Sequence, residues 1–341
     1  MKNFLKYFFF STVAPFLFLY DIIFFIFFKK KLTSISYNFF IILFCLTGGS
    51  SNKILDFILA RPKKNIQSSH SCLLNLNEEN AKENLSKLGF YYQNNAICNE
   101  DIIQIKNFVK DLKGKYASDE YNSKEKEFFD LKNPKATRFI YSHDDLIECK
   151  NIQKILIDKN LYKIVSNYFQ KEPIIDAVTA WWSVPSKKAD SNAAQLWHFD
   201  LERTKWLKIF IYLTDCTEMN GPHYFIQKSH KDGGIPFEIR KNGYERFAEE
   251  LINKFYKKED IKSFVSNQGG LLIEDTRGLH KGLKVKEGAR LMLQLQYTTN
   301  LLGNNDSKII FPKNYDLEFK KYQYKNKFFF SNFVKEKKII N

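Results

Sequence analysis

The sequence predicts an α+β protein whose core is an antiparallel barrel or sandwich. Apolar residues recur at helical spacing between residues 78 and 169, and they alternate with period two in several short segments after residue 175. Helices that come first along the chain, followed by many short strands, are typical of α+β folds with a closed antiparallel sheet.

The helical part contains three predicted helices. The first, in NEENAKENLSKLGFYY, ends at Gly89 and leads into a short strand. The second begins at Asn99, which can cap it, and the third ends before Pro173. Residues 114–137 are charged and aperiodic, so we expect a mobile loop there.

Five later segments alternate as strands do. They are DAVTAWWSVP, LKIFIYLTD, HYFIQKS, GGLLIED and ARLMLQLQYTTN, and a helical insert around residues 243–256 interrupts them. Side chains i and i+2 of a strand share a face, so each strand presents one set of side chains to the barrel interior.

Two apolar runs open the chain. Residues 7–28 carry a single charge, Asp21, and residues 37–46 form a second, shorter run. A bilayer crossing needs about 20 apolar residues, so the first run either spans a membrane or lies in its interface with the second. A pair of buried helices is the third possibility. The lysines behind the first run favour the cytoplasmic face of a membrane for the rest of the chain, with a soluble cytoplasmic protein as the alternative.

These patterns divide the chain into four parts. Residues 1–60 form a hydrophobic, membrane-associating segment, residues 61–80 a polar linker, residues 81–310 the main domain, and residues 311–341 a basic C-terminal extension.

Composition narrows the choice of partners. The net charge is +15, but the lysines are scattered and no Arg-rich tract occurs, so we expect no nucleic acid and favour an anionic membrane surface. The five cysteines form no CxxC pair, which argues against a disulfide framework and against a zinc knuckle.

Three residues form a candidate metal site. His198 and Asp200 stand two residues apart in strand context, so their side chains point to one side. His280 follows 80 residues later in EDTRGLHKGLKV, at a turn between two strands. Two histidines and one carboxylate that leave the opposite face of the ion open are the facial triad of non-haem Fe(II) oxygenases.

Arg290 is the candidate anchor for a co-substrate. It stands on the polar face of the strand ARLMLQLQYTTN, ten residues after His280. A guanidinium can hold a carboxylate through two parallel hydrogen bonds. A dicarboxylate such as 2-oxoglutarate would bind Arg290 with one end and the metal with the other.

The stretch from WHFDLE through FIYLTDCTEMNGPHYFIQKSHK to His280 and Arg290 resembles the phytanoyl-CoA dioxygenase family of Fe(II)/2-oxoglutarate oxygenases. The resemblance covers roughly residues 80–300. It implies a double-stranded β-helix (jelly-roll) fold and Fe(II) bound by His198, Asp200 and His280. It also implies 2-oxoglutarate held by Arg290, and O₂-dependent hydroxylation of a C–H bond with release of succinate and CO₂.

The chain departs from the family pattern at two places. Gln227-Lys228 replaces the Pro-Gly that often precedes Ser-His, and Gly282 stands where a hydroxyl residue often follows the distal histidine. The second departure removes one expected contact to 2-oxoglutarate. Asp200 is retained, which argues against a halogenase.

Two other functions stay open at this point. One is a cupin-type isomerase or hydrolase that binds a metal without O₂ chemistry, and the other is a membrane-tethered, non-catalytic binding module. The substrate of an oxygenase would be a small molecule, with a lipid-linked or acyl compound as the hypothesis that the apolar N-terminus suggests. His223 begins a strand and is a further candidate for substrate contact.

Overall fold

The computed structural model describes residues 12–28, 31–64, 71–186, 188–241, 243, 245–303 and 308–335. It confirms the predicted mixture of helices and antiparallel sheet. The helices are α1 (Ala14–Phe28), α2 (Ser34–Thr47), α3 (Ser50–Leu59), α4 (Glu78–Lys87), α5 (Asn99–Lys110), α6 (His143–Leu146), α7 (Lys150–Leu156), α8 (Lys159–Phe169), α9 (Phe237–Arg240), α10 (Glu249–Asn253) and α11 (Leu317–Lys325).

The strands form two antiparallel sheets and one short parallel pair. Their bounds are β1 (Phe90–Gln93), β2 (Lys115–Ala117), β3 (Arg138–Tyr141), β4 (Ile174–Ser183), β5 (Trp206–Tyr212), β6 (His223–Ile226), β7 (Ile261–Phe264), β8 (Leu271–Glu274), β9 (His280–Gly282), β10 (Arg290–Thr298), β11 (Ile309–Ile310) and β12 (Phe333–Val334). The larger sheet has the order β1-β8-β5-β10-β4-β3-β2, the smaller one has the order β7-β6-β9, and β11 pairs with β12.

The two antiparallel sheets face each other across an interior lined from both sides. Trp181, Phe210 and Met292 of the larger sheet share a buried cluster with Phe225 and Phe264 of the smaller sheet. The opposite face of the larger sheet carries the main apolar core, which is covered by α4, α5, α7, α8 and α11. Alternation along each strand thus separates an outer apolar face from an inner face that also carries polar side chains.

Two segments are more ordered than their composition suggests. Within residues 114–137, where we expected a mobile loop, β2 pairs with β3, and Phe129 stacks on Trp182 with ring centroids 5.0 Å apart. In the C-terminal part, Phe319 and Phe330 are buried in the main core. Aromatic side chains anchor both segments, although the residues between them are charged.

The N-terminal helices form a layer against the barrel. Phe18, Ile22 and Phe25 of α1 pack with Phe40 of α2 and with Leu302. The predicted apolar run of residues 7–28 is described only from residue 12 onward. Among the described residues, no helix combines the length and apolar character needed for a bilayer crossing.

Candidate metal centre

A backbone pairing brings the two predicted histidines together. His198 N donates to the carbonyl of His280 at 3.0 Å, and His280 N donates to the carbonyl of His198 at 2.8 Å. The predicted strand around residue 198 exists only as isolated bridges of this kind. Asp200 follows two residues later, and its N–H binds the carbonyl of Thr276 at 2.8 Å. The side chains of His198 and Asp200, which come 82 and 80 residues before His280 in the sequence, therefore lie close to it.

The three predicted ligand residues converge at one buried point. Each offers one ligand atom, and these atoms all lie within 4.8 Å of one another. His198 Nε2 is 3.9 Å from Asp200 Oδ1, and His280 Nε2 is 3.5 Å from Asp200 Oδ2. All three side chains are buried. The chain therefore has a His-Asp-His site that is capable of binding a metal ion.

Backbone carbonyls fix both imidazoles for this purpose. His198 Nδ1 lies 2.8 Å from the carbonyl of Leu196, and His280 Nδ1 lies 2.9 Å from the carbonyl of Gly278. A proton on each Nδ1 leaves Nε2 with its lone pair toward Asp200. Burial lowers the pKa of both histidines, with Asp200 opposing the effect. The neutral imidazole, which is the form that ligates a metal, is thereby favoured.

Lys208 is a charged neighbour that sequence reasoning missed. Its Nζ lies 2.7 Å from Asp200 Oδ2 and 3.4 Å from Glu202 Oε1. Burial alone would raise the pKa of Asp200, but Lys208 first, and then the two histidines, hold that pKa below its ordinary value. Asp200 is therefore an anion that already has one cationic partner without a metal.

A buried polar network continues from Lys208 into the barrel. Gln296 Nε2 donates to Glu202 at 3.1 Å and to Asp176 at 2.7 Å. Asp176 also accepts two hydrogen bonds from Arg203, at 3.0 and 2.7 Å. Arg203 is buried, and this bidentate ion pair satisfies its charge there.

Arg290 lies buried at the start of β10, with part of its guanidinium unused. Its Nη1 donates to the carbonyl of Gly221, whereas its Nε is buried and has no hydrogen-bond partner among the described residues. A Cβ at Gly282 would lie 3.7 Å from Arg290 Nη2 and would meet no nearer atom. The space that a longer side chain would occupy beside Arg290 is therefore open.

A second arginine, which the sequence did not single out, lies two strands away. Arg138 of β3 and Arg290 of β10 both stand opposite Ser183 of the intervening β4. The Arg138 guanidinium lies over the ring of Trp181 at 4.1 Å, and its Nε is buried without a hydrogen-bond partner among the described residues. Burial and the charge of Arg290 lower the pKa of Arg138 to about 10.

His223 and Glu274 form a pair beside the candidate ligands. His223 Nε2 lies 2.7 Å from Glu274 Oε2, outside hydrogen-bond geometry, and the His223 ring stacks on His280 with centroids 5.7 Å apart. Burial raises the pKa of Glu274 to about 8, and burial together with Arg290 lowers the pKa of His223 to about 3. Both groups are therefore neutral near pH 7, and His223 lies beside the candidate ligand His280.

The interior thus has three kinds of wall. The His-Asp-His site can hold a divalent cation, and His223 with Glu274 is a neutral polar pair. Each of the two arginines has a buried Nε without a hydrogen-bond partner among the described residues. Buried polar atoms without partners are rare in native proteins and point to a bound ligand or water. The two orphaned Nε atoms fit the carboxylate of an organic anion.

Comparisons with known proteins find only remote likenesses. No protein-family model matches the sequence, and none of the curated proteins matches it.

Several solved structures are similar to this chain. One is the carbocyclase SnoK from nogalamycin biosynthesis, an α-ketoglutarate-dependent non-haem enzyme. It is 11% identical over 71% of this chain and 92% of SnoK, with a TM-score of 0.47. EvdO2 from Micromonospora carbonacea, complexed with 2-oxoglutarate, is 14% identical over 69% of this chain and 96% of its own, with a TM-score of 0.47. HygX from Streptomyces hygroscopicus, with nickel and 2-oxoglutarate bound, is 14% identical over 65% and 87%, with a TM-score of 0.44. Likenesses this remote assign no family.

Proposed function

We propose that this chain is an Fe(II)- and 2-oxoglutarate-dependent oxygenase. The observation that carries the proposal is the convergence of two neutral imidazoles and one carboxylate, His198, His280 and Asp200, at one buried point. Two histidines and one carboxylate suit Fe(II) and leave coordination positions for other ligands. Bound Fe(II) and 2-oxoglutarate would supply oxidation of a C–H bond by O₂, with succinate and CO₂ as by-products.

The arginines are the proposed site for the co-substrate. Arg290 would bind the carboxylate remote from the metal through its free Nε, as the family resemblance implies. Arg138 stands on the same row of the sheet with its own Nε free, so it would add positive charge to the same carboxylate. Pairing with an anion would offset the cost of burying two guanidinium groups close together.

The rest of the cavity would orient the reactants and exclude water. The carbonyls of Leu196 and Gly278 hold the two imidazole rings, and Lys208 holds one oxygen of Asp200. Apolar side chains of both sheets share a buried cluster, and Phe210 of that cluster lies 4.9 Å from the His223 ring, centroid to centroid. Orienting the reactants and excluding water is what a protein contributes to an oxygenase reaction.

The remaining predictions belong to this proposal. We propose that the two sheets form a double-stranded β-helix of the phytanoyl-CoA dioxygenase type, with residues 81–310 as the oxygenase domain. The substrate would be a small molecule, and a lipid-linked or acyl compound if the protein works at the cytoplasmic face of a membrane. The exposed apolar side chains of the N-terminal helices support that location.

An anaerobic titration tests the proposal. We expect Fe(II) and 2-oxoglutarate together to produce a weak visible charge-transfer band. His198→Ala should lose the band with metal binding, whereas Arg290→Ala should keep the metal and bind 2-oxoglutarate at least tenfold more weakly. Arg61→Ala, which removes an exposed arginine outside the barrel, is the matched control. A wild-type protein that binds metal without any effect of 2-oxoglutarate would contradict the oxygenase function.

One observation favours a second candidate, the metal-dependent isomerase or hydrolase. Glu274 places a second carboxyl group beside the candidate ligands, with neither oxygen hydrogen-bonded among the described residues. Burial raises the pKa of this carboxyl group to about 8, so near pH 7 it would carry a proton that an isomerase or hydrolase can transfer to its substrate. Metal binding without the charge-transfer band is the result expected for this candidate. A non-catalytic binding module would show neither.

A further inference from the structure

The N-terminal layer exposes apolar side chains to an unusual degree. Of the 24 large apolar side chains that are exposed among the described residues, 13 lie between residues 12 and 64. Single exposed apolar residues are ordinary on soluble proteins, but contiguous patches mark contact sites for proteins or membranes. The exposed apolar side chains of this layer therefore indicate a contact surface.

Helix α1 is apolar on two opposite sides. Its buried stripe is Phe18, Ile22 and Phe25, which pack on α2. A second stripe at the same helical spacing is exposed and consists of Phe16, Tyr20, Ile23 and Phe27. A surface helix of a soluble protein carries polar residues on the side away from the core, and α1 does not.

Helix α3 buries its polar side and exposes its apolar side, which is the reverse of an amphipathic helix on a soluble protein. Its polar residues Asn52 and Asp56 are buried, whereas Ile54, Phe57 and Ile58 are 64%, 77% and 58% exposed. Hydrogen bonds hold this orientation: Asp56 accepts from Thr204, Thr299 and Asn300, and Asn52 donates to the carbonyl of Thr204. Specific polar contacts to the barrel therefore keep the apolar side of α3 outward.

The exposed charges of this layer have one sign. Among described residues 12–64, both acids, Asp21 and Asp56, are buried. The exposed charged residues are Lys31, Lys53, Arg61, Lys63 and Lys64, of which Lys53 forms an ion pair with Asp232 at 2.8 Å. Positive charge beside apolar surface suits an anionic bilayer. It does not suit a symmetric contact between two copies, which would bring like charges together.

We propose that the outer faces of α1 and α3, here called the docking face, bind the surface of an anionic phospholipid bilayer. The helices would lie in the interface without crossing it, with the apolar side chains in the headgroup and acyl boundary and the lysines at the phosphates. This inference names the membrane-contacting surface and stands independently of the metal chemistry.

Vesicle flotation of the full chain tests the docking face. The probes are vesicles of phosphatidylcholine alone and of phosphatidylcholine with 30% phosphatidylserine, the latter at low and at high salt. We expect binding that needs phosphatidylserine and weakens with salt. Two double variants, Phe16→Glu with Phe27→Glu in α1 and Ile54→Glu with Phe57→Glu in α3, should each lower the partition coefficient at least tenfold.

Leu131→Glu with Leu317→Glu removes two comparably exposed apolar side chains elsewhere and should bind as the wild type does. Thermal unfolding of every variant identifies those that fail to fold; for such a variant, Phe57→Gln alone replaces it. Absence of binding to anionic vesicles would overturn the inference. So would unchanged binding of the α3 variant, or a concentration-dependent dimer that the substitutions abolish. The Fe(II) and 2-oxoglutarate titration of the same samples reports separately on the proposed function.

Discussion

In most soluble proteins, charged side chains are exposed and apolar side chains are buried. The metal centre departs from this distribution by burying charges, and the docking face departs from it by exposing apolar side chains. The metal centre buries charge: Asp176, Asp200, Lys208, Arg203 and Arg290 are all enclosed. The docking face exposes apolar side chains of α1 and α3 and buries an aspartate beneath them. In a soluble protein, buried charge and exposed apolar patches are the two observations that carry information.

The difference shows how each region is stabilised. In the cavity, charges are held by one another and by hydrogen bonds, and the atoms left over face the space where ligands would bind. In the N-terminal layer, a small polar cluster fixes α3 on the barrel and leaves Ile54, Phe57 and Ile58 exposed. If a ligand binds in the cavity or a bilayer binds the docking face, we expect each to raise the stability of the folded protein.

The largest effect on this comparison is expected from Asp56→Ala. The substitution leaves the hydroxyls of Thr204 and Thr299 and the amide of Asn300 without their shared acceptor in a buried cluster. We expect the free energy of unfolding to fall by about 3 kcal/mol, since each unsatisfied buried group costs roughly 1–3 kcal/mol. Chemical denaturation measures this, with the exposed Asp111→Ala as control. A loss equal to that of the control would mean that α3 does not depend on the cluster.

A smaller effect is expected from Lys208→Met. The ammonium group 2.7 Å from Asp200 Oδ2 compensates the carboxylate in the metal-free protein and repels a cation at the same place. Its removal should tighten binding of Mn(II) about tenfold, because a like charge held next to the cation opposes binding. Because Asp200 then lacks its cationic partner, the metal-free protein should melt at a lower temperature, and added metal should raise the melting temperature more than it does in the wild type.

Calorimetric titration and thermal melting with and without Mn(II) check both parts. Lys254→Met, at an exposed lysine outside the barrel, should change neither. Weaker metal binding in Lys208→Met would show that the lysine mainly orients Asp200 and does not compete with the cation.

The sequence predicted the parts of the site that local spacing determines. His198 and Asp200 are two residues apart, and Arg290 shows its orientation because only one side of its strand is polar. Lys208 and Glu274 escaped notice because their strands are apolar on both faces, so alternation gives two sets of side chains without saying which set faces the cavity. Arg138 escaped because its position beside Ser183 depends on the register of strands distant in sequence.

The same limit explains the N-terminal helices. Periodicity shows that α3 has an apolar side, and the usual inference is that this side is buried. In the structure the apolar side of α3 is exposed instead, because Asp56 on the polar side accepts hydrogen bonds from residues 204, 299 and 300. Contacts between residues more than 140 positions apart cannot be predicted from the spacing of neighbouring residues.

The pH dependence of stability tests the neutral pair in the cavity. Burial raises the pKa of Glu274 to about 8, whereas the pKa of an exposed glutamate is about 4.3. The contribution of this group to stability is therefore full below about pH 4.3 and is lost as the pH rises through about 8, because the folded protein retains a proton that the unfolded chain releases. Glu274→Gln cannot ionise, so metal-free variant and wild type should diverge between pH 5 and 8, with the variant melting several degrees higher at pH 8.

Thermal melting in the presence of a chelator at a series of pH values measures that divergence. Glu259→Gln, at an exposed glutamate, should follow the wild type at every pH. A constant offset between Glu274→Gln and wild type across the range would mean that Glu274 is already ionised in the folded protein, paired in a way that stabilises its charge.

The smallest expected effect is a gain at Gly282. This glycine stands two residues after His280, opposite His223 across the smaller sheet, and an added Cβ would meet no atom closer than Arg290 Nη2 at 3.7 Å. Gly282→Ser therefore fits without displacing a neighbour, and its hydroxyl would lie where an anion bound to Arg290 needs a donor. One added hydrogen bond to a charged group, partly offset by lost hydration, should tighten 2-oxoglutarate binding a few-fold.

The measurement is the 2-oxoglutarate concentration that gives half of the maximal charge-transfer band. Gly282→Ala, which adds the Cβ alone, is the control. If Gly282→Ser and Gly282→Ala change the half-saturating concentration equally, the added hydroxyl does not contact the co-substrate. Its carboxylate would then lie away from Gly282 and away from the edge of the Arg290 guanidinium that faces Gly282.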